Sequence, residues 1–370
     1  MADVNEAGAA AAPAGLVFRM YRAADRQQLF GLWEDFIAPG RLARRQDLFD
    51  WLVTRNPALG GRSPYHVVLD GERLVAHYGK MPVRFLVHGR PLGAFICHDV
   101  YVQRRYRGRS AGLSEALVGE LLNEPGTFVL ALWFARFNYG LHRRCGWLEI
   151  PGCRGQVKVY DPAPFLRGRL PRPLAGAARA AGRALLALLD LRIRRPGPRL
   201  EVRPIHAFDE RFDALAGEVC PRLGIVAIRD GAYLNWKYAQ RPHMRYQILA
   251  AEEDGRLRGY IVSRAERGGD GAKGLIVDAL APPERADVFR ALVLAALEDL
   301  RRERVAYVSC VFTHPAFRRV LRSCNFLTAR EPSPVMIGNW RGPLAPEEVA
   351  DVSSWYLTRG DGDGDFWTTG

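Results

Sequence analysis

The apolar positions of this chain switch repeatedly between two spacings. Alternation at every second residue marks strands, and recurrence at three and four residues marks helices. Read in order, the pattern predicts strand, helix, helix, hairpin strands, a long strand, helix, strand, helix and strand, and then the series begins again. Phe49-Asp50-Trp51, with Pro57 six positions beyond the tryptophan, is matched by Leu234-Asn235-Trp236 with Pro242 six beyond. Each is followed by a tyrosine-led strand and an Asp-Gly dipeptide, Asp70-Gly71 and Asp254-Gly255, which suits a tight hairpin. Val-rich strands carrying Asp99 and Asp278 come next, followed by helices. Aromatic strands at 128–134 and 306–312 then lead to short basic helices closing at Cys145-Gly146-Trp147 and Cys324-Asn325-Phe326. From aspartate to cysteine the interval is 46 residues in both copies. The expected architecture is an α/β fold of the α+β kind, a mixed sheet flanked by helices, present as two tandem lobes.

The lobes are expected at residues 15–160 and 200–340, with a disordered tail at 1–14, a connector at 161–199 and a C-terminal tail at 341–370. The connector opens on a Pro- and Gly-broken stretch and continues in strong helix formers over 175–191, interrupted only at Gly176 and Gly182. There Arg179, Arg183 and Arg192 accompany Leu185, Leu186, Leu188 and Leu189. A linker helix laid across both lobes is the plainer expectation; peripheral membrane contact through 167–195 is the sharper one.

Composition narrows the classes. With 48% hydrophobic and 25% charged residues, the chain is globular rather than disordered, collagenous or coiled coil. Its apolar runs near helix signals, such as 184–189, are far below the ~18–20 residues of a membrane span. The first 14 residues lack the charged start and apolar core of a secretory signal. Six cysteines without zinc spacing fit a reduced, cytoplasmic protein. The net charge of +13 raises nucleic acid, membrane surfaces and phosphorylated ligands as partners, and residues 161–200 concentrate it in nine arginines against two aspartates.

The most informative segment is 98–122. A strand through His98 and Val102 passes by way of Arg107-Gly108-Arg109-Ser110-Ala111-Gly112 into a helix expected at 110–122. Such a turn leaves backbone N–H groups unpaired at a helix start, where the dipole also favours an anion. Small side chains at Gly108, Ser110 and Gly112 let phosphate oxygens approach, and Arg107 and Arg109 add charge.

Here the chain resembles the GNAT superfamily, the acyl-CoA-dependent N-acyltransferases, whose hallmark is a strand ending in Val-x-Pro and then Tyr-Arg-Gly-x-Gly-x-Gly. The corresponding residues are Val102-Gln103-Arg104-Arg105-Tyr106-Arg107-Gly108-Arg109-Ser110-Ala111-Gly112, with Gln103 for the proline and Ser110 for the middle glycine. Neither departure removes an N–H donor. The resemblance continues through Asn138, His142 in place of the usual tyrosine, and Gly146-Trp147 for Gly-Phe. It implies that acetyl-CoA or another acyl-CoA is co-substrate, held by Tyr101, Val102, the 107–112 turn and Asn138, with no metal. The second copy, from Asp278 to Arg285, has no glycine nest, sets Glu284 toward the phosphates and has Leu321 where His142 stands. It resembles a degenerate lobe that shapes the acceptor pocket or stabilises its partner.

Direct acyl transfer needs a deprotonated amine, a polarised carbonyl and a proton for the thiolate. The resemblance puts carbonyl polarisation on a backbone N–H of the strand ending at Val102. Asn138 or His142 is expected to supply the thiol proton. Asp99 is the preferred base, with His98 and Glu149 as alternatives; strand alternation lets only one of His98 and Asp99 face the acceptor. Trp51 and Trp236 are expected in the core. His142, Cys145 and Cys153 match no zinc framework. Asp361, Asp363 and Asp365 imitate a calcium loop whose twelfth ligand falls outside the sequence, and read as turn chemistry. Residues 355–358 are apolar enough to dock and line the acceptor pocket.

The expected function is N-acyl transfer to a small amine, with an amino sugar as the example suggested by tandem architectures. Fem-type transfer from aminoacyl-tRNA and a non-catalytic acyl-CoA-binding or membrane-associated module are the alternatives. The basic connector suits RNA, but the intact phosphate turn speaks against nucleic acid as the partner.

Overall fold

The computed structural model describes residues 15–107, 112–120, 126–133, 136–168, 171–193, 197, 199–268, 271–362 and 364. The first half runs β1 (Leu16–Met20), α1 (Arg26–Glu34), α2 (Pro39–Arg55), β2 (Tyr65–Asp70), β3 (Arg73–Val87), β4 (Arg90–Val102), α3 (Leu113–Glu120), β5 (Phe128–Leu132), α4 (Arg136–Arg144), β6 (Leu148–Glu149) and β7 (Arg154–Val159). Two connector helices follow, α5 (Ala163–Leu166) and α6 (Arg172–Asp190). The series then recurs as β8 (Leu200–Pro204), α7 (Glu210–Val219), β9 (Ile225–Ala227), α8 (Gly231–Leu234), β10 (Gln247–Glu253), β11 (Arg256–Gly268), β12 (Gly271–Leu280), α9 (Ala286–Arg302), β13 (Tyr307–Cys310), α10 (Pro315–Ser323), β14 (Leu327–Pro332) and β15 (Val335–Gly338). A final strand, β16 (Trp355–Tyr356), lies in the C-terminal segment.

Hairpin chemistry sets the registers. Asp254 (φ 50°) and Gly255 (φ 73°) form the two-residue turn between β10 and β11. His88 (φ 48°) and Gly89 (φ 81°) do the same between β3 and β4. Positive φ at both central positions matches the twist of the flanking strands.

The first sheet has the order β1-β2-β3-β4-β5-β15-β6 and the second, read from its far edge, β8-β10-β11-β12-β13-β7-β14. The orders are equivalent, but the sixth strand of each sheet comes from the other half of the chain. β15 pairs with β5 and β6, and β7 with β13 and β14. Residues 154–159, expected to close the first lobe, therefore complete the second sheet. Their buried polar side chains have partners there: Gln156 accepts the Phe312 N–H at 3.0 Å, and Lys158 donates to Asp190 at 2.6 Å and to the Cys324 carbonyl at 3.0 Å.

One apolar cluster runs through both halves, and a second fills the space between the first sheet and α3 and α4. The repeated tryptophans meet where the halves join. Trp51 and Trp236 stack with centroids 4.7 Å apart, and the Trp51 indole donates to the Trp236 carbonyl at 3.1 Å. Both are buried, as expected of core residues.

Candidate active site

Two strands that begin side by side and then part create the cleft. β5 pairs with β4 only at Ala94, Phe95 and Ile96, so from Cys97 to Val102 β4 has no β5 partner. The cause lies one strand away. The β3–β4 register jumps between His77↔Tyr101 and Gly79↔His98, so Tyr78 stands opposite both Asp99 and Val100. Asp99 takes up the extra residue at φ 50°, a left-handed conformation that aspartate tolerates better than most side chains. Such a bulge bends its strand and increases the local twist.

The bulge also breaks the alternation expected at His98 and Asp99. Both side chains turn toward Tyr65: its ring lies 5.2 Å from that of His98, and its hydroxyl donates to Asp99 at 3.0 Å. His98 is accommodated because its ring overlies Gly79, where an added Cβ would come within 2.3 Å of it. Cys97 points to the opposite face, into the cluster under α3 and α4.

Asp99 does not stand as a lone carboxylate. Arg45 of α2 forms an ion pair with it, and His77 Nδ1 lies 4.0 Å away. Burial works to raise the Asp99 pKa, but the Arg45 charge, the neighbouring imidazoles and the Tyr65 hydrogen bond outweigh burial and hold it below the ordinary value. His77 accepts the Trp33 indole N–H at 3.0 Å, so its proton sits on Nδ1, toward Asp99. Burial pulls the His77 pKa down to about 4 and that of His98 down to about 3. At neutral pH the group is therefore an ionised aspartate with two neutral histidines.

The other side of the cleft is built by α4. His142 is buried rather than solvent-facing, and both ring nitrogens are engaged. Nδ1 lies 2.8 Å from the Asn138 carbonyl, which can only accept, so Nδ1 carries the proton and Nε2 receives the Tyr78 hydroxyl at 2.9 Å. Burial lowers the His142 pKa, and the bond to Asn138 opposes this. This tautomer leaves His142 without a second N–H for a thiolate; the residue instead ties α4, with half-buried Asn138, to β3. Glu149 is exposed and takes a hydrogen bond from the Tyr139 hydroxyl, apart from the Asp99 group.

At the cleft mouth, Arg104, Arg105 and Arg107 are exposed just beyond β4. Arg107 donates to the Val102 carbonyl at 2.7 Å and lies over Tyr101, which stacks on Phe36 at 4.1 Å. Gly112, at φ 59°, precedes α3. Gly108, Arg109, Ser110 and Ala111 lie outside the described residues. On the described flanks, three exposed arginines lie between the end of β4 and the start of α3.

The rear half repeats the arrangement and closes it. Asp278 accepts from Arg229 at 3.0 Å, Tyr260 at 3.0 Å and Thr358 at 2.9 Å, a buried counterpart of Asp99 with Arg45 and Tyr65. Arg45 precedes Trp51 by six positions, and Arg229 precedes Trp236 by seven. β12 and β13 also part after two pairs, Gly274↔Val308 and Leu275↔Ser309. Here, however, the C-terminal segment fills the gap. Thr358 bridges to Phe312, Leu357 exchanges hydrogen bonds with Thr313, and Tyr356 donates to the Ala279 carbonyl at 2.6 Å. Residues 355–358 are fully buried, and Asp361 accepts from Arg229 at 2.7 Å, so Asp361 is a buried ionic partner rather than an ordinary turn residue. The segment then crosses to the front half, where Gly362 packs so closely on Trp133, next after β5, that a Cβ would lie 2.3 Å from its ring.

Among the described residues no group of three His, Cys, Asp or Glu side chains is placed to hold a metal ion, and no helix is long and apolar enough to cross a membrane.

Neither protein-family profiles nor curated protein sequences match the chain. Solved structures do. A GCN5-related N-acetyltransferase from Anabaena variabilis superposes with a TM-score of 0.60 at 14% identity, over 87% of this chain and 72% of that one. A conserved protein from Enterococcus faecalis, described as a probable N-acyltransferase, gives 0.57 at 15% identity over 87% and 72%. N-myristoyltransferase from Saccharomyces cerevisiae, with bound myristoyl-CoA, gives 0.58 at 13% identity over 95% and 86%. The fold is thus one this chain shares with these N-acetyltransferase and N-myristoyltransferase structures, and the likeness extends over both halves of the chain.

Proposed function

We propose that the chain is an acyl-CoA-dependent N-acyltransferase whose front half holds the thioester and whose rear half is structural. What carries this reading is the contrast between two equivalent partings of strands: in the front half β4 has no β5 partner beyond Ile96 and ends in exposed arginines, while in the rear half residues 355–358 of the chain pack into the parting. The similarity to acyltransferase folds, one of them solved with myristoyl-CoA, points the same way.

In this scheme the 107–112 turn and its arginines hold the diphosphate, Asn138 contacts the pantetheine arm, and an edge N–H from Tyr101 or Val102 polarises the thioester carbonyl. The amine attacks the carbonyl carbon; the C–N bond forms, the C–S bond breaks, and the proton released by the attacking nitrogen passes through water to the departing sulfur. Asp99, held ionised by Arg45 and Tyr65, offers a carboxylate oxygen as hydrogen-bond acceptor to the acceptor ammonium, whose proton passes to water. His98 supports Asp99 from below, and His142 is a positioning residue for α4. Glu149 lies at the exposed edge. The acceptor is a small amine, with amino sugars first in the panel to be assayed.

Acetyl-CoA or myristoyl-CoA at about 100 times its dissociation constant stabilises a folded protein by about 2.7 kcal/mol, enough to raise the melting temperature by a few degrees. The shift should vanish in Arg107→Glu and Gly112→Glu, and labelled acyl groups should pass to an amine only in the wild type. A shift retained in both variants would overturn the assignment. A shift with charged tRNA alone would favour aminoacyl transfer instead.

A further inference from the structure

The acyltransfer scheme leaves one large feature unused, the outer face of α6. This 19-residue helix touches the protein through a narrow stripe of Ala175, Ala178, Gly182, Leu186 and Leu189, with Gly182 close against Pro162. Its other side is apolar and bare. Leu174 is 57% exposed, Leu185 57%, Leu188 56% and Leu191 80%, with exposed alanines at 177, 181, 184 and 187 between them. Soluble proteins seldom leave so many leucines together in water without a partner.

Charge identifies the partner. Residues 161–200 contain two acidic side chains, and both turn inward: Asp161 takes Arg179 at 2.5 Å, and Asp190 takes Lys158 at 2.6 Å and Asn325 at 3.1 Å. The outer face is thus free of carboxylates, while exposed Arg183 flanks it along the helix and exposed Arg192 lies just past its end. Leucines pointing outward between arginines suit an anionic lipid surface, where the apolar side chains enter the acyl boundary and the guanidinium groups remain among the phosphates. A second copy fits poorly, since the facing helices would oppose two sets of arginines.

We propose that α6 is a peripheral membrane anchor that lays its leucine face on an anionic phospholipid bilayer. The anchor is independent of the acyltransfer scheme and would hold whichever substrate the cleft accepts.

Flotation of the full-length protein with phosphatidylcholine vesicles, and with mixed phosphatidylcholine–phosphatidylglycerol vesicles, tests this across a salt series. Binding is expected to the mixed vesicles alone and to weaken as salt rises. Leu185→Ser with Leu188→Ser should reduce partitioning by about tenfold or more. Arg183→Ser with Arg192→Ser should reduce it about fivefold per arginine. Because these side chains are exposed, the variants should melt as the wild type does. No association with mixed vesicles at low salt would overturn the proposal, as would binding that survives the leucine substitutions. Light scattering that reveals a dimer dissolved by the leucine substitutions would overturn it in favour of self-association.

Discussion

His98 sits beneath Gly79 with its pKa down at about 3, and His77 beside Asp99 at about 4, in both cases because burial penalises the charged ring. An unfolded histidine titrates near about 6.5, so below that pH the unfolded chain binds protons that the folded chain refuses. Both groups therefore contribute stability that is complete above about pH 6.5 and is lost progressively as pH falls toward 4 and 3. Melting temperatures measured from pH 8 downward should stay level and then drop from about pH 6.5. A curve level to pH 4 would show that the rings are charged or exposed in solution. The neutral state of both rings at working pH also means that neither should set an acid limb of activity above pH 6. The sequence revealed the identity of these residues but not their aim. Strand alternation placed His98 and Asp99 on opposite faces, and nothing local announces that Asp99 absorbs a bulge at φ 50°.

Among the elements, the C-terminal segment carries the strongest test. Its anchor is one fully buried arginine, Arg229, shared between Asp278 and Asp361. Replacing Arg229 with Met would leave two buried carboxylates facing each other, and removal of one partner of a buried ion pair typically costs about 3–5 kcal/mol. Urea unfolding of Arg229→Met should show a loss of that order. A triple variant that also carries Asp278→Asn and Asp361→Asn should recover part of it, since the uncompensated charge is then gone. The docking of residues 355–358 was legible in their apolar character. The role of Asp361 was not, because its partner lies 132 positions away and the Asp-Gly alternation around it resembles an ordinary turn. The proposed phosphate turn is the converse case: residue types from Arg107 to Gly112 suggest it without reference to any distant partner.

At the scale of the molecule, the doubling was legible and the exchange was not. Matched tryptophans, Asp-Gly turns and equal intervals revealed two copies of one plan. β7 and β15 are short strands whose sequences say only that they are strands; which sheet takes them is decided by partners such as Phe312 and Asp190. The Trp51–Trp236 stack and the continuous core join the halves, so they are expected to unfold together. Urea unfolding followed by circular dichroism and by tryptophan fluorescence should give coincident midpoints. Two separated transitions would mean that the halves fold alone.

The traded strands also behave like a dovetail joint. Cleaving the main chain within the connector would not release two pieces, since each fragment would still hold a slat belonging to the other's panel. Conversely, a gene cut at the midpoint of the repeat would encode a front fragment with a missing slat between β5 and β6 and a spare one at its end, two raw edges apt to be satisfied by a neighbouring copy. An ancestor in which the two plans were separate molecules would have met the same problem, and reciprocal lending between paired subunits would have been its ready solution.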